Sequence, residues 1–106
     1  MRFGLDEHQY QFEWDDAKAA SNIRKHDVSF ELASSVFHDP RILTVVDTTH
    51  SELKERWFSI GLVGTGAMVS VSYLCTECEP GLTKIRLISA RRATVTEIRY
   101  YTEANE

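Results

Sequence analysis

Three groups of side chains in this sequence are of types that move protons or hold phosphate. The first is His26 with the adjacent Lys25 and, one helical stretch earlier, Lys18. The second is Glu55 beside Arg56, and the third is Arg86 with Arg91 and Arg92. Imidazole and carboxylate act as general bases near neutral pH, and an ammonium group can return the proton. A guanidinium stays charged and forks onto phosphate oxygens, so arginines at strand ends suit an anionic substrate. Each group also has a plain structural reading. A cation near a helix end is favoured by the helix dipole, Glu55–Arg56 fits an exposed strand start, and Arg91–Arg92 fits a solvated turn before a helix.

Other chemistries find little footing. Cys75 and Cys78 form a single C-x-x-C, half a zinc site at most, and the four histidines (His8, His26, His38, His50) show no paired ligand spacing. No helical pattern follows the motif, which argues against thioredoxin-like chemistry. Asp15 and Asp16 are adjacent, so on a helix or cap they diverge by about 100° and make poor joint ligands. No Gly-rich phosphate loop and no G-x-S-x-G turn occurs. No metal site and no cofactor is expected.

The length of 106 residues suits one domain spanning the whole chain, with 1–11 as a possible N-terminal extension. Twelve basic against sixteen acidic residues give a net charge of -4, which excludes a protein that coats nucleic acid broadly. The charge is uneven: residues 1–53 carry five bases and ten acids, residues 54–106 seven and six. Lys84, Arg86, Arg91 and Arg92 fall within nine residues that contain no acid. No run of 18 apolar residues exists, and Asp6 and Glu7 stand where a signal peptide needs cationic and apolar residues. A soluble cytoplasmic protein without membrane contact is expected.

The elements that must position these groups follow from periodicity. Tyr10, Phe12 and Trp14 alternate with polar residues and suggest a short strand. Asp15 then caps a helix running to about His26, with Ala17, Ala20 and Ile23 at helical spacing as its apolar face. Ser29 caps a second helix with Phe30, Ala33 and Phe37 inward, stopped by Asp39 and Pro40. From there β-branched and aromatic residues dominate 42–48, 57–63, 68–74 and 84–90, which read as four strands. A Gly64–Gly66 hairpin joins two of them, and longer loops are expected at 49–53 and 77–83, the second the more mobile. Thr94 and Glu97 form a capping box for a last helix with Val95, Ile98 and Tyr101 inward.

The order β-α-α-β-β-β-β-α implies an α+β, two-layer domain, a mainly antiparallel sheet flanked by helices with one sheet face open. Strict alternation along 84–90 would point Lys84, Arg86, Ile88 and Ala90 one way, and Ile85, Leu87 and Ser89 the other, with Arg91 continuing the second set. Both sets contain apolar side chains, so the buried face stays open at this level.

Five segments in order resemble a known family. They are F-E-W-D-D-A-K from Phe12, N-x-x-K-H at Asn22–His26 followed by V-S-F-E, F-x-D-P at Phe37–Pro40, E-R-W-F-S-I-G at Glu55–Gly61, and I-R-L-I-S-A-R-R-A from Ile85, closing with Glu97 and Tyr100–Tyr101. Together, over about residues 12–101, they resemble the BrnT toxins of bacterial type II toxin–antitoxin systems. The resemblance implies a RelE-like fold and a metal-independent ribonuclease that arrests translation. It further implies a partner, a BrnA-like ribbon-helix-helix antitoxin, through which alone the toxin would meet DNA. In such a ribonuclease His26 or Glu55 would be the base, Lys25 the acid, Arg56 and Arg91 the phosphate stabilisers, and Lys18, Arg86 and Arg92 the RNA-positioning cations. The rival reading is a non-catalytic RNA- or ribosome-binding module, or a subunit of a repressor complex.

Overall fold

The computed structural model describes residues 9–47 and 56–106. In chain order it contains β1 (Gln9–Glu13), α1 (Asp16–His26), α2 (Phe30–Ser34) with a single 3-10 turn at Ser35–His38, β2 (Leu43–Asp47), β3 (Arg56–Leu62), β4 (Met68–Glu79), β5 (Leu82–Arg92) and α3 (Val95–Ala104). The strands form one mixed sheet of order β1-β5-β4-β3-β2. Only β1, which pairs with β5, is parallel to its neighbour; the other ladders are antiparallel. The expected α+β class and element order stand. Because β1 begins at Gln9, residues 9–11 of the expected N-terminal extension are part of the sheet. The loop expected at 49–53 lies outside the described residues.

The sequence reading of the 77–83 loop is corrected. β4 and β5 run on as a long hairpin, closed at Pro80–Gly81, with a register irregularity between Glu77 and Glu79. Gly81 sits at φ +86°, a left-handed conformation that a side chain makes unfavourable. The turn chemistry seen in the sequence therefore marks a tight reversal, where a long loop had been expected.

Side-chain alternation sorts the sheet into two faces. One carries the core: Val69, Val71 and Tyr73 of β4 and Ile85, Leu87 and Ala90 of β5 are almost wholly buried, packed with Val28, Phe30, Ala33 and Val36 from the α1–α2 region. Gly61 permits this packing, since a Cβ there would lie 3.1 Å from Val36 Cβ. α2 unwinds at Ser35 into the 3-10 turn, whose tighter winding turns Val36 fully inward and leaves Phe37 half-buried.

Two helix faces differ from the expected ones. In α1 the supposed inner residues Ala17, Ala20 and Ile23 are exposed, and the buried side chain is Asn22. In α3 only Tyr101 is buried, while Val95 is 85% exposed and Ile98 39%. Polar bonds replace apolar packing in both cases. α3 starts against the second sheet face and is clasped at its far end by Asp39. Tyr101 Oη donates to Asp39 Oδ2 (2.6 Å), which also accepts from the Leu62 amide, while Oδ1 accepts from the Arg41 amide. Burial pushes the Asp39 carboxyl up, but these donors outweigh it and leave it below its ordinary value. Burial and the adjacent Asp39 push the Tyr101 hydroxyl up to about 12.

Candidate functional site

Asp15 caps α1 by accepting from the Lys18 amide (3.0 Å), and Asp27 ends it at φ 57°, donating its own amide to the Ile23 carbonyl. Aspartate tolerates this left-handed position better than most residues. The sharp stop turns Val28 into the core directly after His26. Beside it, β1 ends opposite Arg86, so the outer edge of β5 beyond that residue lacks a strand partner among the described residues. Asn22 fills that role. Its Nδ2 donates to the carbonyls of Val28 and Ala90 (2.8 Å each), and its Oδ1 accepts from the Ala90 amide (3.0 Å). The amide thus pairs with a strand edge as a neighbouring strand would, satisfying groups whose burial would otherwise be costly.

This fastening creates a hollow of about 260 Å³ between α1 and β5, lined by Lys18, Ser21, Asn22, Lys25, His26, Ile88 and Ser89. Lys18, Ser21, Asn22 and Lys25 recur at i, i+3, i+4 and i+7, one stripe of the helix. Three cationic or ionisable groups therefore surround one opening bordered by serine hydroxyls, a setting for an anion.

The expected alternation along β5 fails at one residue, with consequence for the arginines. The ladder pairs Ser72 with Ser89 but Tyr73 with Leu87, so Ile88 is an extra residue, a β-bulge. The bulge resets the parity of everything after it. Ala90 joins Leu87 on the core face, and Ser89 and Arg91 join Lys84 and Arg86 on the other. Across β4, Arg56 shares that face too: Arg56 pairs with Leu74, which pairs with Arg86, which lies beside Glu13. Ser89, on the rim of the hollow, stands between Arg86 and Arg91 along β5.

These arginines differ in commitment. Arg86 donates to Glu13 Oε2 (3.2 Å), and the other oxygen of that carboxylate, Oε1, lies 3.8 Å from Lys84 Nζ. Arg56 has a buried Nε with no hydrogen-bond partner among the described residues. Arg91 is held in a two-pronged pair by Glu97, with Nη1 to Oε1 at 2.9 Å and Nη2 to Oε2 at 2.8 Å. Glu97 Oε1 also accepts from the Ser70 hydroxyl and the Thr94 amide, the latter completing the capping box of α3. Arg92 pairs with Val69, which places it on the core-side face at the sheet end, exposed and apart from the other arginines.

Glu97 has a measurable signature. The Arg91 hydrogen bonds, opposed by burial and aided by Thr94 and Ser70, draw its carboxyl down to about 2 from an ordinary 4.5. A carboxyl whose folded value is lowered stabilises the fold above its unfolded value, and that contribution disappears as pH falls through the folded one. The window is therefore pH 4.5 down to about 2. Because the Arg91 side chain is 40% exposed, solvent screening limits the contribution to about 2 kcal/mol. Glu97→Gln is expected to lower the thermal midpoint at pH 7 and to flatten its decline between pH 5 and 2. Equal slopes in thermal melts of the two proteins would count against this pair as a source of acid lability.

Of the sequence candidates, Lys18, Lys25 and His26 meet at the hollow, and Arg56, Arg86 and Arg91 share one sheet face reached from it through Ser89. Arg92 is elsewhere, and Glu55 lies outside the described residues. Ser21, Asn22, Ser89 and Glu97 are site residues that the sequence reading misses. The polar stripe at 18, 21, 22 and 25 was the available signal, masked because Ala17, Ala20 and Ile23 offered an apolar alternative at similar spacing.

Comparison with known proteins bears on this geometry. The crystal structure of the Brucella abortus ribonuclease toxin BrnT superposes with a TM-score of 0.51 at 22% identity, over 81% of this chain and 97% of that one. This is a likeness of fold. No curated protein matches the chain. The family model for the ribonuclease toxin BrnT of type II toxin–antitoxin systems matches residues 14–97. That span runs from the residue before the Asp15 cap to the carboxylate that holds Arg91, and includes the whole lining of the hollow. The chain therefore belongs to the BrnT family of ribonuclease toxins of type II toxin–antitoxin systems.

Proposed function

We propose that the hollow between α1 and β5, with the arginine face beside it, is where this toxin cleaves RNA, and that it does so without a metal. His26 or Glu55 takes the proton from a ribose 2′-hydroxyl, whose oxygen attacks the adjacent phosphorus. The 5′-oxygen leaves with a proton from Lys25, and the upstream fragment ends in a 2′,3′-cyclic phosphate. Arg56 and Arg91 stabilise the charge that grows on the phosphoryl oxygens. Lys18 and Arg86 position the strand, and Arg92 takes a phosphate beyond the end of β5. The 2′-hydroxyl requirement restricts the reaction to RNA. Cleavage in the cytoplasm arrests translation, and a BrnA-like ribbon-helix-helix antitoxin neutralises the toxin by covering the same cations, carrying any DNA contact itself.

One observation carries this reading: the bulge at Ile88 turns Ser89 and Arg91 to the face of Arg86, next to the hollow that gathers Lys18, Lys25 and His26. The test is incubation of the purified toxin with RNA, with and without a chelator. Fragments ending in cyclic phosphate, unaffected by chelation, are expected. Arg56→Ala and Arg91→Ala should each lower the rate by about 10²–10³-fold. RNA that is shifted on a gel yet stays intact would establish a binding module instead, and rescue by Mg²⁺ after chelation would overturn the metal-free scheme.

A further inference from the structure

A second cavity, of about 250 Å³, opens on the core-side face of the sheet. Its walls are aromatic: Tyr10, Phe37, Trp57 and Tyr73 line it, with Ile85 and Thr44 among the remaining lining residues. The rings are already set against one another, Tyr10 and Phe37 with centroids 5.5 Å apart and Phe37 and Tyr73 edge-on at 4.9 Å. We propose that this cavity binds one nucleobase of the single-stranded RNA substrate and sets base preference near the cut.

Size comes first. Pockets for drug-sized ligands span roughly 300–1,000 Å³, so this one suits a single ring system. Its walls offer aromatic faces, on which unpaired bases stack. Hydrogen bonding then separates a base from an apolar protein side chain. Thr44 Oγ1 lies 3.0 Å from Ser59 Oγ, which lies 2.7 Å from Tyr73 Oη, and either atom of each pair can donate. Three hydroxyls joined by two bonds keep one further proton to place. Reversing the chain makes Thr44, the exposed member, either donor or acceptor toward an occupant. A base edge carries both kinds of group, whereas an apolar side chain would answer neither and would leave the hydroxyl unpaired.

Position agrees. Ile85 of the cavity and Ile88 and Ser89 of the hollow lie on one strand, three or four residues apart, or about 10–13 Å. A single strand of RNA covers that separation in a few nucleotides. The proposal depends on the ribonuclease activity of the family and not on which side chains of the hollow act as base or acid.

Two measurements test it. Cleavage sites are mapped on a mixed-sequence RNA for the wild-type toxin and for Thr44→Val and Tyr10→Ala, neither of which touches the hollow. Cutting should continue in both: Thr44→Val reduces discrimination between bases at one position near the cut roughly 2- to 13-fold, the worth of one hydrogen bond, and Tyr10→Ala, losing a stack that serves every base, weakens RNA binding roughly 5- to 150-fold. An unchanged preference in folded, cutting Thr44→Val, or unchanged RNA binding by folded Tyr10→Ala, would overturn the proposal. Separately, Trp14→Phe leaves Trp57 as the single tryptophan. Its fluorescence should respond to a short single-stranded RNA and not to the same strand made abasic. Equal response to both strands would overturn the assignment, as would a response to the antitoxin with none to any RNA, which would make the cavity a protein-anchor site.

Discussion

His26→Ala is expected to lower the rate of RNA cleavage by about 10²–10⁴-fold, the usual loss when a general acid or base is removed. The folded state should hardly change. His26 is exposed at the last position of α1, and no side-chain bond ties it to the core among the described residues, so its replacement belongs with surface substitutions worth about 0.5 kcal/mol or less. A large kinetic effect with an unchanged thermal midpoint separates a chemical role from a structural one. Rates are measured on a defined RNA under single-turnover conditions, with melting of each variant followed in the same buffer. Lys25→Ala, on the neighbouring position of the same hollow, should also slow cleavage while leaving the melt intact. Cleavage within threefold of wild type after His26→Ala would remove the histidine from the mechanism and leave the base to Glu55.

The largest structural effect is expected at Asn22. Asn22→Ala leaves the amide of Ala90 and the carbonyls of Ala90 and Val28 without their side-chain partner, in surroundings that are almost fully buried. At about 1 kcal/mol or more for each such group, the loss is about 3 kcal/mol, or roughly 12–24 °C in midpoint for a domain near this size. Asn22→Asp tests the assignment of the amide. The carboxylate still accepts from the Ala90 amide, but its other oxygen now faces two carbonyls with no proton to offer. Protonation relieves that conflict, so the aspartate's folded-state pKa must lie above its unfolded one. The variant then loses stability as pH rises through the folded value and regains it on acidification. Between pH 7 and 4.5 Glu97 imposes no trend of its own, since its contribution is lost only from 4.5 down to about 2, so a gain on acidification in that range belongs to the aspartate. Denaturant melts from pH 7 to 4 check it, and an Asp variant that gains no stability on acidification relative to the parent would show that Nδ2 does not face those carbonyls.

Both variants also probe the same architecture from opposite directions. His26 and Lys25 are presented by α1, whereas Asn22 determines where α1 sits against β5. Disturbing Asn22 should therefore slow cleavage in the fraction that remains folded, because the helix loses its register with Ser89.

How much of this was readable in the residues follows a physical division. Local signals were reliable. Asp15, Ser29 and the Thr94–Glu97 box each cap a helix as expected, since a cap depends on residues three positions apart. β2 and β3 fall close to the β-branched runs that announced them. The F-x-D-P segment was recognisable as a motif, and the structure supplies its reason: Asp39 ties β3 to α3 through Leu62 and Tyr101.

Inner faces were less legible. For α1, periodicity favoured Ala17, Ala20 and Ile23, because apolar residues at helical spacing usually mark the core. The face chosen by the fold is polar, since what it meets is an unpaired strand edge that needs hydrogen bonds more than apolar contact. For α3 the same logic favours Val95, Ile98 and Tyr101; Tyr101 is buried as expected, while Val95 and Ile98 are exposed and the helix start is held by Glu97 through charged and hydroxyl partners.

By itself, the sequence determined the family, the α+β order of elements, the helix caps, and the set of cations from which a phosphate site could be built. Those properties reside in residue identity and short spacing. Only the tertiary structure decided which cations lie together. Whether Arg86 and Arg91 share a face depends on the parity of β5, and parity was changed by Ile88, an extra residue identified only by pairing with β4. Equally, Lys18 and His26 converge on Ser89 because Asn22 bonds to Ala90, 68 positions along the chain. A strand's alternation is a local rule, but the place where it is broken is set by the neighbouring strand.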